Sequence, residues 1–168
     1  TLPPSVAAGW VLEVRGTTYT LPSQTWNNVG TATNPIFIRG INKPTLTGNH
    51  TSFTGAYTIV EGFKFSGVSK SQDSSANYFS FRNNEVTGFT PTGNGSAFST
   101  SYNSYNVVYN NEIHHNGCST CTTVRDIHGI KPWHGTLALW IVDNHIHHNE
   151  GDGIQIGEAQ STVTWPQG

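Results

Sequence analysis

The chain has 168 residues, of which 11% are charged, against the roughly 25% usual in soluble proteins. Asn, Thr and Ser together make up roughly a third, and Met is absent; this vocabulary excludes a coiled coil or helix bundle, while a formal charge of −2 with 11% aromatics excludes a disordered chain. No apolar run approaches the roughly 18 residues of a membrane span, and no basic cluster exists to displace counterions from nucleic acid, which leaves one mostly β domain long enough to bury a core.

The chain opens on Thr1, Leu2, Pro3 and Pro4, with neither an initiator Met nor a charged leader before an apolar stretch. This start, with sparse Lys and Glu, is expected of a processed, extracellular product. Trp10, just before Val11, reads as core, and so does Trp140 between Leu139 and Ile141. Asn49 and Asn94 each begin a glycosylation sequon, relevant only in a eukaryotic secretory host.

From the middle of the chain onward the sequence repeats. The segments beginning Phe81-Arg-Asn-Asn, Val108-Tyr-Asn-Asn and Ile141-Val-Asp-Asn align without gaps, and Val60-Glu-Gly-Phe keeps their apolar ends. The position shared by Phe63, Asn84, Asn111 and Asn144 recurs at steps of 21, 27 and 33 residues. A second register pairs His128-Gly-Ile-Lys131 with Asp152-Gly-Ile-Gln155. Irregular periods in the twenties with short apolar strands predict a β-solenoid of about five coils, each burying its face against its neighbours. A β-sandwich also suits short strands and Gly-rich turns, but it does not require an in-register Asn repeat. In a solenoid, equivalent Asn side chains lie about 4.8 Å apart and can satisfy one another down the stack as a ladder, and Asn tolerates the left-handed backbone of a tight corner.

Cys118 and Cys121 are the only cysteines, and their C-x-x-C spacing reads as a short disulfide pinning a loop in an oxidising compartment. Between Glu112 and Glu158 lie six acids, two bases and seven of the eight His. Two alternatives open here. The column formed by Glu112, His114, His145 and His147 offers mixed N/O ligands of the kind a divalent transition metal accepts, while His-His-Asn is also ordinary turn vocabulary.

The order Gly16-Thr-Thr-Tyr-Thr20, Asn34-Pro-Ile-Phe-Ile-Arg-Gly40, Leu46-Thr-Gly48 and Tyr57-Thr-Ile-Val-Glu-Gly-Phe-Lys-Phe65, followed by His128-Gly-Ile-Lys-Pro132 and Gly151-Asp-Gly-Ile-Gln-Ile-Gly157, resembles secreted proteins of the pectate-lyase-like superfamily. The likeness is nearest to the branch containing alginate and chondroitin lyases, and it covers nearly the whole chain. It implies an all-β, single-stranded, right-handed parallel β-helix over residues 1–168, part of a longer solenoid or stacked end to end. It also implies a polysaccharide partner and lyase-like chemistry, in which Lys and Arg serve as base and acid and carboxylates hold calcium. This fold hosts non-catalytic filament, adhesin and tailspike-like subunits as well, so self-association through open solenoid ends is the opposing expectation.

Lysis of an acidic polysaccharide needs a cation at the uronate, a base for the C5 proton and a donor for the leaving oxygen. Lys131 or His128 is the candidate base, Arg125 the carboxylate neutraliser, and Asp126 with Asp152 the candidate ligands for calcium or another divalent cation. Trp133, His134 and Gln155 are candidate sugar contacts, and Tyr102, Tyr105 and Trp165 are further stacking surfaces.

Overall fold

A computed structural model describes residues 6–22, 24–48, 51–67, 72–118, 122 and 125–157. Among them there is no helix, hence none long and apolar enough to cross a membrane. Among the described residues seventeen strands recur in the order A, B, C. Sheet A stacks β1 (Val11–Arg15), β4 (Ile36–Ile41), β7 (Thr58–Glu61), β10 (Ser80–Arg82), β13 (Ser104–Tyr109) and β16 (Leu137–Val142). Sheet B stacks β2 (Thr18–Leu21), β5 (Thr45–Gly48), β8 (Lys64–Gly67), β11 (Glu85–Thr87), β14 (Glu112–His114) and β17 (His145–His147). Sheet C stacks β3 (Gln24–Trp26), β6 (Thr51–Phe53), β9 (Gln72–Ser74), β12 (Gly95–Thr100) and β15 (Ile127–Pro132). Every ladder is parallel, and every strand pairs with the strand three elements away. This is a parallel β-helix.

Parallel register turns the sequence repeat into columns of like residues. On sheet A, Ile38, Val60, Phe81, Val108 and Ile141 follow one another inward. On sheet B the inward column is Tyr19, Leu46, Phe65, Val86, Ile113 and Ile146. Between the sheets, Phe81 stacks on Phe98 with ring centres 4.6 Å apart, and Phe65 lies 5.4 Å from Phe81. Such buried aromatics supply much of the apolar area that holds one coil to the next.

Trp10 and Trp140 correct the core expectation: they are 65% and 50% exposed. Side chains alternate along a strand. Because Leu139 and Ile141 turn inward onto the core, Trp140 faces out, beside the outward Val107 of β13.

The corner from sheet A to sheet B gives the two residues of each Asn pair different work. Gly62, Asn83, Asn110 and Asp143 hold the left-handed conformation, with φ between 51° and 78°. The next residue, Asn84, Asn111 or Asn144, is turned into the stack. The Asn84 N–H donates to Asn111 Oδ1 at 3.0 Å, and the Asn111 N–H to Asn144 Oδ1 at 3.0 Å. Their amide groups donate to the carbonyls of Val60, Phe81 and Val108 one coil away. A similar set follows sheet B, where Phe89 N–H donates to Asn116 Oδ1 and Asn116 N–H to Asn149 Oδ1. These bonds satisfy backbone groups that the corners leave without ladder partners.

Candidate functional site

The outward side of sheet C carries the most varied chemistry. The bridge between Ile130 and Ile154, with the Gln155 N–H donating to the Ile130 carbonyl, extends the sheet past β15 and sets Gln155 beside Lys131. Asp126, Lys131, Trp133, Gln155, Ile156 and Gly157 line a groove of about 250 Å³. The Lys131 ammonium sits 4.3 Å from the Trp133 ring centre, a cation–π contact that holds the charge at the groove wall. Gly157 passes so close to the indole that a Cβ there would meet Trp133 Cε3 at 2.2 Å. His134 continues the aromatic surface, packing edge-on to Trp133 at 4.4 Å and stacking on Tyr102 at 6.1 Å.

Three residues expected at this site do not line the groove. His128 is fully buried; its Nδ1 accepts the Asp152 N–H at 3.1 Å, and its Nε2 lies 3.3 Å from Asp126 Oδ2. It spaces the two carboxylates and is closed off from the groove. The Arg125 guanidinium donates to the Pro91 carbonyl and does not line the groove. Asp152 stays exposed, but among the described residues Asp126 and Asp152 join no three-ligand group.

Glu150 anchors the neighbouring loop. Its carboxylate accepts the N–H of Arg125 at 2.8 Å and that of Cys118 at 3.0 Å, and these two donors hold its pKa below the ordinary range. Cys118 is disulfide-bonded; Cys121, like Trp165 and Asn49, lies outside the described residues.

The outward side of sheet B is ionic. In one column Lys64, Glu85, Glu112 and His145 are register partners; in the next, Thr87, His114 and His147. Lys64 and Lys43 reach Glu85 at 2.6 and 2.7 Å. Burial works against the charge on Glu85, yet both lysines outweigh it and bring the carboxyl down to about 2. His114, stacked on His147 at 5.1 Å, has its pKa lowered by burial, against the opposing pull of Glu112 and Glu85. Ligand atoms of Glu112, His145 and His147 lie within 4.8 Å of one another, and so do those of Glu85, Glu112 and His114.

Two surface columns were not anticipated from the sequence. On sheet A, Glu61 is held between Arg39 at 2.6 Å and Arg82 at 2.8 Å. Burial opposes its ionisation, but the arginine bonds prevail and lower its pKa. At the other end of the sheet A strands, Tyr57, Tyr78 and Tyr105 stack with centres 4.6 and 4.9 Å apart. Their sequence steps are 21 and 27, the same as the Asn column, so that register was the signal that would have found them.

The architecture defines the class, a parallel β-helix with a groove on one sheet that carries Asp126, Lys131 and Trp133. Among solved structures the chain is similar to the alginate lyase from Paenibacillus sp. str. FPU-7, with 19% identity and a TM-score of 0.56, over 84% of this chain and 65% of that one. This chain therefore spans about two thirds of that protein, and the likeness is one of fold. No family model and no curated protein matches it.

Proposed function

We propose that the chain is an extracellular β-helix acting on or binding an acidic polysaccharide in a lyase-like manner, with the sheet C groove as its sugar site. The observation that carries this reading is the placement of the Lys131 ammonium against Trp133, beside Gln155 and Asp126, in one open groove. An indole face packs on the apolar face of a sugar ring, and adjacent polar groups take its hydroxyls. The ammonium matches a uronate carboxylate or, when deprotonated, can take the C5 proton. In such an elimination the neutral Lys131 amine takes the C5 proton, the C5–H electron pair becomes the C4–C5 double bond as the C4–O4 bond breaks, and O4 takes a proton from the resulting ammonium or from water. With His128 buried and Arg125 engaged at Pro91, Lys131 is the basic residue left facing the groove. Asp126 would be the groove's oxygen ligand for a divalent cation, which would supply positive charge to the uronate carboxylate.

A second reading, a non-catalytic subunit that self-associates, is favoured by Leu137, Trp140 and Val142, which leave an apolar patch exposed on β16. Incubation with a panel of uronate polysaccharides, following the ultraviolet absorbance of the unsaturated product, separates the two. We expect product from the wild type and at least a tenfold loss in Lys131→Ala. No product from any uronate polymer contradicts the lyase reading.

A further inference from the structure

We infer that Glu112, His145 and His147 form a binding site for one divalent transition-metal ion of the zinc class on the outer face of sheet B. This inference is independent of the polysaccharide reading, since it concerns a different sheet.

The sequence of β14 and β17 places the ligands. His145 and His147 are two apart on one strand and so share a face, their ring centres 4.1 Å apart. Parallel register sets Glu112 directly beside His145. One carboxylate oxygen and two ring nitrogens then lie within 4.8 Å of one another. Metal–N and metal–O distances of about 2.1 Å in a tetrahedral site put neighbouring ligand atoms about 3.4 Å apart. Glu112 Oε1 and His147 Nε2 are 3.4 Å apart, long for a charge-assisted hydrogen bond but right for two corners of such a site.

Charge supplies a second argument. Glu85 and Glu112 are cross-strand neighbours, and like charges at that position repel. Lys43 and Lys64 answer Glu85, whereas among the described residues no Lys or Arg pairs with Glu112. A metal ion on Glu112 and the two imidazoles would neutralise this second carboxylate as Lys43 and Lys64 neutralise the first. The same ammonium groups disfavour the other triad, Glu85, Glu112 and His114, because a metal there would sit beside two lysines. Two imidazoles and one carboxylate suit a borderline cation such as Zn²⁺, and not Ca²⁺, which takes oxygen ligands.

The test is calorimetric titration of the chelator-treated full chain with Zn²⁺, alongside thermal unfolding, because binding to the native state raises Tm. The expected result is one ion per chain and a higher Tm. Affinity should fall at least tenfold in His147→Ala and in the near-isosteric Glu112→Gln, with unchanged circular dichroism. Absence of Zn²⁺ binding overturns the proposal. So does wild-type affinity in both Glu112→Gln and His147→Ala, which would assign the ion to other histidines.

Discussion

At the scale of single residues, the corners of the helix explain the composition. Gly62, Asn83, Asn110 and Asp143 hold positive φ at the corner between sheets A and B, where a Cβ costs about 1–2 kcal/mol and Gly, or Asn and Asp with their locally bonding side chains, is the residue that visits routinely. At Gly62 a Cβ would also meet the Gly40 carbonyl oxygen at 2.5 Å. Gly62→Ala should therefore cost about 2 kcal/mol or more in urea unfolding, while Asn83→Gly should stay within about 0.5 kcal/mol. Equal costs would mean that the corner tolerates either residue by moving. His115 and His148 hold the same conformation after sheet B. Their recurrence in the His-His-Asn repeat, read from sequence as turn vocabulary, belongs to the corner.

At the scale of elements, each sheet carries a different outward face on the same inward packing. The inward columns were legible because Val60, Phe81, Val108 and Ile141 share one register with the Asn repeat, and a parallel stack converts equal register into contact. The outward ion pairs were hidden because Arg39, Glu61 and Arg82 are polar residues whose steps carry meaning only once the coils are stacked. Trp140 was misread because apolar character alone does not tell the two faces of a strand apart; alternation with Leu139 and Ile141 does.

The ion-pair columns predict acid sensitivity. Glu61 and Glu85 have folded pKa values below the ordinary 4.5, so the folded chain holds fewer protons than the unfolded one there. Their stabilisation is complete above that value and is lost as pH falls toward about 2 for Glu85. With the lysines partly exposed, Glu85 should contribute roughly 1–2 kcal/mol. Urea midpoints measured across this range should fall with pH. In Glu85→Gln the fall should be shallower, and the starting stability lower. An equally steep fall in that variant would place the acid sensitivity elsewhere.

At the scale of the molecule, the parallel stack collects residues far apart in sequence into vertical surfaces. The groove on sheet C joins Asp126 and Lys131 to Gln155 across the coil step. The register pairing of His128-Gly-Ile-Lys131 with Asp152-Gly-Ile-Gln155 made Lys131 and Gln155 legible as neighbours. The burial of His128 and the turning of Arg125 toward Pro91 were not legible, because both depend on how the loops fold back over the sheet edge. Trp133 belongs to the groove, whereas Tyr105 belongs to the stack with Tyr57 and Tyr78 along sheet A. That separation makes a sugar site on sheet C directly testable. Affinity electrophoresis of Trp133→Ala and Tyr105→Ala in gels containing uronate polysaccharide should show at least a tenfold weaker retardation constant for Trp133→Ala and wild-type retardation for Tyr105→Ala. Equal retardation of the wild type and Trp133→Ala, or none in the wild type, would contradict a sugar site on sheet C.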